Sequence, residues 1–279
     1  MIFRSSAIGR ALLILGLGLA SGLSAQEGEE EIATEEEPTE TMPEASDPEA
    51  LQIIRGYQKT IGGKQAMEAL QTLFLEGEIE EGRNTFKIQR YYQAPNQALH
   101  VRILDRRHGK EPKVYTGFDG EKAWILDPEV ASYPELLKGL AGKLFQRRAS
   151  LFGPLLHLQE SDFKYTLEGQ SSYRGVPVNL VRVWYGDDDY EWYYFHQENN
   201  LLVLRSIKRK FAGTPTFIDE VFTKYDRIGS VYFPVKTTFE VRGEKIGSLE
   251  ISDFTANPSF KAGFFAMPEI KERWLRQNN

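Results

Sequence analysis

From Thr72 onward the chain alternates apolar and polar residues with a period of two, and that alternation leaves few architectures open. Leu73, Leu75, Gly77 and Ile79 interleave with Glu76, Glu78 and Glu80. Gly82-Arg83-Asn84 turns the chain, and Phe86, Ile88 and Arg90 continue on a paired strand. Pro95-Asn96 is the next turn, ahead of Leu99, Val101 and Ile103. Residues 114–118 and 123–126 then flank Asp119-Gly120, a tight-hairpin signal. The same pattern resumes at 163–170, 176–185, 190–196, 201–211 and 216–225. A further hairpin, 235–241 with 246–254, surrounds Arg242-Gly243-Glu244. The pattern predicts eleven or twelve strands joined by short turns with no βαβ spacing, so the fold is mainly β with one large antiparallel sheet. A sheet of that size must curl, close or be covered, because long open edges aggregate.

One segment breaks the pattern. Between 133 and 158, Leu136, Leu137, Leu140, Leu144, Phe145, Leu151 and Phe152 recur at three- and four-residue steps, which predicts a helical insert with one apolar face. Gly139 and Gly142 each weaken a helix by about 1 kcal/mol relative to Ala, and Gly153-Pro154 ends it. Two readings fit: a helix that covers the core face of the sheet, and a movable lid over an apolar cavity. A second helix is expected from Ser46-Asp47-Pro48-Glu49, with Leu51, Ile54, Tyr57 and Ile61 on its buried face and Gly62-Gly63 at its end.

The N-terminus reads as an export signal. Arg4 and Arg10 are its only charges, an apolar run follows, and Leu23-Ser24-Ala25 fits a cleavage site, so residues 1–25 are expected to be a cleaved signal peptide. Residues 26–49 carry eleven acidic side chains, no basic ones and three prolines, the composition of a disordered, self-repelling tether. Without Arg4, Arg10 and those eleven acids, 32 basic and 29 acidic residues remain in the domain expected at 50–279, a balance too mild for nucleic acid. The absence of cysteine excludes disulfides, thiolate nucleophiles, thiolate metal sites and a lipidated N-terminal cysteine.

No catalytic motif emerges. His100, His108, His157 and His196 lie on separate elements without a metal-ligand spacing. Asp187, Asp188, Asp189 and Glu191 lack the alternation of a calcium loop and read as a hairpin turn. No metal and no cofactor are expected. There is no G-x-S-x-G elbow and no phosphate-binding glycine loop. The many aromatics, such as Tyr91-Tyr92 and Trp192-Tyr193-Tyr194-Phe195, fit a curved sheet with a large apolar side.

Three stretches together resemble the periplasmic outer-membrane lipoprotein-sorting family, the LolA/LolB-like proteins. Residues 91–100 are similar to that family's strand and Arg-Pro-Asn turn, with Ala94 standing where the family has arginine before Pro95 and Asn96. Residues 118–128 resemble its Asp-Gly-x-x-x-Trp-x-x-x-Pro hairpin through Asp119, Gly120, Trp124 and Pro128. Phe264-Phe265-Ala266-Met267-Pro268 is similar to its closing Phe-x-x-Pro segment. The resemblance implies an incompletely closed β-barrel with helices plugging the mouth of a cavity for acyl chains. Leu136, Leu137, Leu140, Leu144, Phe145, Leu151, Phe152 and Trp124 are the candidate lid and cavity residues. The function it implies is a periplasmic lipid or lipoprotein carrier, with acyl chains as ligand and a membrane-associated donor or acceptor protein as partner. A secreted location, a non-enzymatic sensor or interaction module on the same half-barrel, and a carbohydrate hydrolase are the alternatives. A carrier's chemistry is simple: each buried methylene is worth about 0.8 kcal/mol, so a chain of about fourteen carbons gains on the order of 10 kcal/mol in a dry, mouldable pocket.

Overall fold

The computed structural model describes residues 40–104, 111–128, 130–158, 162–211 and 214–269. The expected signal peptide, the tether up to residue 39 and His108 lie outside the described residues. Two helices, α1 (Pro48–Thr60) and α2 (Lys64–Ala69), lead into a meander of β1 (Thr72–Glu81), β2 (Asn84–Gln93), β3 (Gln97–Ile103), β4 (Lys113–Phe118), β5 (Ala123–Leu126) and the two-residue β6 (Glu135–Leu136). Helix α3 (Gly139–Arg148) and a 3-10 turn (Gly153–Leu155) follow. A second meander then runs through β7 (Lys164–Tyr173), β8 (Val176–Gly186), β9 (Asp189–His196), β10 (Leu202–Phe211), β11 (Thr214–Ile228), β12 (Val231–Val241) and β13 (Glu244–Ala256).

The thirteen strands of the described residues belong to one antiparallel sheet, in the order β6-β5-β4-β3-β2-β1-β13-β12-β11-β10-β9-β8-β7. The fold is therefore mainly β, as the alternation predicts, with β6 as the strand that helical periodicity hides. Tight two-residue turns keep neighbours adjacent. Arg174-Gly175 and Arg242-Gly243 both have positive φ at each position (51° and 82°; 52° and 80°), the geometry whose twist matches flanking strands.

The last strand pairs with the first, so the two meanders join along β1 and β13 in the middle of the sheet, leaving β6 and β7 as its two free edges. Those edge strands are consecutive in the chain. The segment between them must travel from one edge of the sheet to the other, and it does so as α3 and the 3-10 turn. The sheet is strongly curled beneath it. His100 on β3 and Arg205 on β10 are six strands apart, roughly 29 Å on a flat sheet, yet both line one cavity of about 240 Å³. The result is an open half-barrel whose concave side is crossed by helices.

Helix α1 fills one half of that concavity. Pro48 occupies its first turn, and Ala50, Ile54, Tyr57 and Gln58 are buried against Tyr165, Val181, Tyr193 and Phe195 of the second meander. The Asp47 carboxylate does not cap the helix; it accepts a hydrogen bond from the Leu167 backbone N–H at 2.8 Å, while the Asp47 N–H donates to the Tyr165 carbonyl at 2.8 Å. The end of the acidic stretch is likewise seated on the sheet. The backbone N–H of Glu40 and of Met42 donate to the carboxylates of Asp188 and Asp187, the turn joining β8 to β9, and Tyr190 donates to Glu40 at 2.8 Å. Asp187 and Asp188 form the predicted hairpin turn and also anchor the arriving chain, while Asp189 and Glu191 lie on β9.

Candidate functional site

Helix α3 lies over the other half of the concavity. Its Phe145, with the C-cap residue Ala149, packs with Leu73, Tyr92, Phe118 and Ile228 of the sheet, and Leu144 is buried as well. Between this helix, the 3-10 turn and the sheet lies the cavity, which Leu137, Leu144, Phe145, Leu151 and Phe152 all help to line. Five of the eight candidate residues therefore converge there. Leu136 and Leu140 do not: they are 44% and 54% exposed, because Leu136 belongs to edge strand β6 and Leu140 sits on the outer side of the helix.

Trp124 faces the other way. Its indole is buried with Leu99, Val101 and Phe265 on the convex side of the sheet, where its Nε1–H donates to the Phe265 carbonyl at 3.0 Å. Gly117 on the neighbouring strand makes room for the ring, since a Cβ there would meet the indole at 2.2 Å. Phe260, Phe264 and Phe265 stack around it, so the C-terminal segment is fastened over the outside of the first meander. The other motif positions gather at the same end. Ala94, Pro95 and Asn96 form the β2–β3 turn, and Asp119 and Gly120 form the β4–β5 turn. Gln97 Nε2 donates to the Asp119 carbonyl at 2.7 Å, and exposed Pro128 follows β5. These motif residues shape the scaffold rather than the cavity.

The glycines of the insert act differently from what helix propensity alone predicts. Gly139 is the first residue of α3 and has φ +59°, so it shapes the entry to the helix. Gly142 is a point of close approach: a Cβ there would lie 2.3 Å from the Leu137 carbonyl oxygen.

Charged residues that the apolar periodicity passes over hold the insert down. Arg147 and Arg148 form the last turn of α3, where cations also favour the helix dipole. Arg147 is hydrogen-bonded to Asp189, lies 3.8 Å from the Glu191 carboxylate on β9, and stacks its guanidinium 3.8 Å from the centre of the Tyr185 ring. Arg148 is hydrogen-bonded to Glu220 on β11, and Arg205 on β10 approaches that same carboxylate through Nε at 3.0 Å. Burial opposes the charge on Arg205, but Glu220, Tyr193 and Glu191 more than offset it and hold the guanidinium well above its ordinary range. Tyr193 is itself pushed up to about 12, first by burial and then by Glu191. The helix is thus latched to the second meander by two ion-paired arginines.

On the first meander the cavity wall carries a polar row. Arg90 on β2, His100 on β3 and Thr116 on β4 are directly paired across adjacent strands and all line the cavity. The His100 Nε2 and the Tyr92 hydroxyl are hydrogen-bonded at 2.9 Å, and the Phe145 ring meets the imidazole edge-on at 5.0 Å. Burial, with Arg90 and Arg148 nearby, holds His100 well below the usual imidazole value, so it is neutral at pH 7. One step further along, Arg102 is ion-paired with Glu81 at 3.0 Å, both buried and both on the concave face. Where the resembled family has an arginine, Ala94 leaves none; the cation reaching the cavity from this strand is Arg90.

Among the described residues no group of three or more His, Cys, Asp or Glu side chains is placed to hold a metal ion, and no helix is long and apolar enough to cross a membrane. No protein-family model and no curated protein matches the sequence. Solved structures do match the fold. A DUF1329 family protein from Desulfovibrio piger superposes with a TM-score of 0.53 at 11% identity, over 79% of this chain and 98% of its own. A domain assigned to outer membrane lipoprotein sorting from Vibrio parahaemolyticus gives 0.53 at 9% identity, over 78% and 96%. A LolA superfamily protein from Nitrosomonas europaea gives 0.52 at 13% identity, over 75% and 97%. The fold is LolA-like. At these identities the likeness is one of architecture: the LolA-like half-barrel carries over, and what occupies its hollow has to be argued from this chain's own side chains.

Proposed function

We propose that the protein is a non-enzymatic periplasmic carrier that shelters an acyl chain between the concave face of its half-barrel and helix α3. The observation that carries this reading is the cavity of about 240 Å³ lined by Leu137, Leu144, Phe145, Leu151 and Phe152. It exceeds the void of about 150 Å³ that suffices for a benzene ring. A long acyl chain needs more room, so α3 and the 3-10 turn have to shift outward as the chain enters.

Magnitudes favour that movement. Releasing the two charge-assisted contacts of Arg147 and Arg148 costs about 3–6 kcal/mol in total. Burying a chain of about fourteen carbons gains on the order of 10 kcal/mol. The latch therefore keeps the empty protein closed without outweighing the cargo. Leu136 and Leu140, exposed on the outer side of the insert, are where a membrane-associated donor or acceptor would meet it. The LolA-like and lipoprotein-sorting neighbours support the same reading at the level of fold.

Titrating the purified protein with the neutral apolar dye N-phenyl-1-naphthylamine and displacing it with 1-hexadecanol tests this. Saturable uptake at one site, reversed by the alcohol, is expected; no uptake, or uptake that the alcohol leaves untouched, contradicts the proposal.

A further inference from the structure

The polar row on the first meander is unnecessary for holding an acyl chain and unfavourable in an empty apolar hollow. Thr116 is 1% exposed, and its hydroxyl has no hydrogen-bond partner. The buried Arg90 Nε–H also lacks a partner. The other cavity arginines are all matched: Arg147 by Asp189 and Glu191, and Arg148 and Arg205 by Glu220. Burying a donor without a partner costs free energy that folding alone has no reason to accept.

Both groups face the same space. Arg90 pairs with His100, and His100 with Thr116, so the three form one line across β2, β3 and β4 on the cavity side. The neutral imidazole between them is tied to Tyr92, and it adds no charge that would compete for an anion. What remains is a forked cation and a hydroxyl donor, set at the wall of an apolar pocket. That combination recognises an oxyanion: a planar guanidinium engages a carboxylate or phosphate through two parallel hydrogen bonds.

We infer that the ligand is an anionic amphiphile, whose carboxylate or phosphate head is held by Arg90 and Thr116 while its acyl chain lies under α3 against Phe145 and Phe152. This rests on the acyl-cavity reading and goes beyond it by naming the head group. It also gives the cargo an orientation, head toward the first meander and tail beneath the insert.

The test is dye displacement on the full chain by four competitors: palmitate, hexadecyl phosphate, 1-hexadecanol and sodium phosphate. Palmitate or hexadecyl phosphate should displace the dye at roughly tenfold or more lower concentration than 1-hexadecanol. Which of the two is tighter tells carboxylate from phosphate cargo. In Arg90→Gln the advantage over the alcohol should disappear. Thr116→Val should reduce the advantage and leave the empty protein as stable as, or more stable than, the wild type, since it removes an unpaired buried hydroxyl. A structural role for Thr116 gives the opposite sign. Equal displacement by palmitate, hexadecyl phosphate and hexadecanol, or an advantage that survives Arg90→Gln, overturns the anion site and leaves the acyl cavity standing. Displacement by sodium phosphate at concentrations as low as those of hexadecyl phosphate overturns the amphiphile in favour of a free anion. Failure of every tailed competitor to displace the dye overturns both readings.

Discussion

Arg148, in the last turn of α3, is hydrogen-bonded as an ion pair to Glu220 on β11, and that one carboxylate also receives Arg205 from the neighbouring strand. The insert that closes the half-barrel is therefore held by charge as well as by its leucines.

Breaking that contact should loosen the insert without unfolding the sheet. Arg148→Gln leaves Glu220 still paired with Arg205, so the expected loss is about 1.5–3 kcal/mol. Urea denaturation reads the loss. Hydrogen exchange should accelerate within 139–148 and stay unchanged along β1 and β13. Unaltered exchange in the helix would mean that Arg148 does not latch it.

At Gly142 the local and tertiary effects have opposite signs. On propensity alone, Gly142→Ala stabilises a helix by about 1 kcal/mol. Here the added Cβ would lie 2.3 Å from the Leu137 carbonyl oxygen. The substitution is expected to lower the melting temperature, and a rise would show that α3 is not pressed against the segment before it.

That position also marks how far the sequence could be read. Alternation from Leu73 to Ile79 and turns such as Asp119-Gly120 are local signals, so the strands and their antiparallel pairing follow from them. Curvature is not local. That β3 and β10 face one another depends on the accumulated twist of seven strands, which no window of sequence contains. Trp124 was legible as a motif residue but not as an outward one, because both faces of β5 are apolar and the convex face is covered by a segment some 140 positions later. The cavity's polar residues did leave a trace: Arg90, His100 and Glu220 occupy positions in phase with core residues such as Ile88, Ala98 and Ile218. Only the structure tells that their strands meet.

Trp124→Ala separates scaffold from site. Removing the indole should cost about 3–5 kcal/mol and free the Phe260–Phe265 segment on the convex side. Dye uptake at temperatures where the variant is folded should be unchanged. Loss of uptake with little loss of stability would move Trp124 back into the binding machinery.

His100 makes stability depend on pH in a defined direction. Burial, Arg90 and Arg148 hold its folded value well below the 6.5 of a free imidazole. Below pH 6.5 the unfolded chain takes up a proton that the folded chain refuses, so stability falls as pH drops. The slope contributed by this one group approaches about 1.4 kcal/mol per pH unit. Denaturation at pH 7.5, 6 and 5 should show a steeper decline for the wild type than for His100→Gln; parallel declines would mean that the imidazole titrates normally.

The most direct test asks what the hollow holds in the cell. Protein purified without detergent from its own envelope, denatured and extracted into organic solvent, can be analysed by mass spectrometry for acyl species. The account predicts close to one acyl-bearing molecule per chain, released on unfolding and carrying an anionic head. A fully folded preparation that yields no acyl species contradicts it.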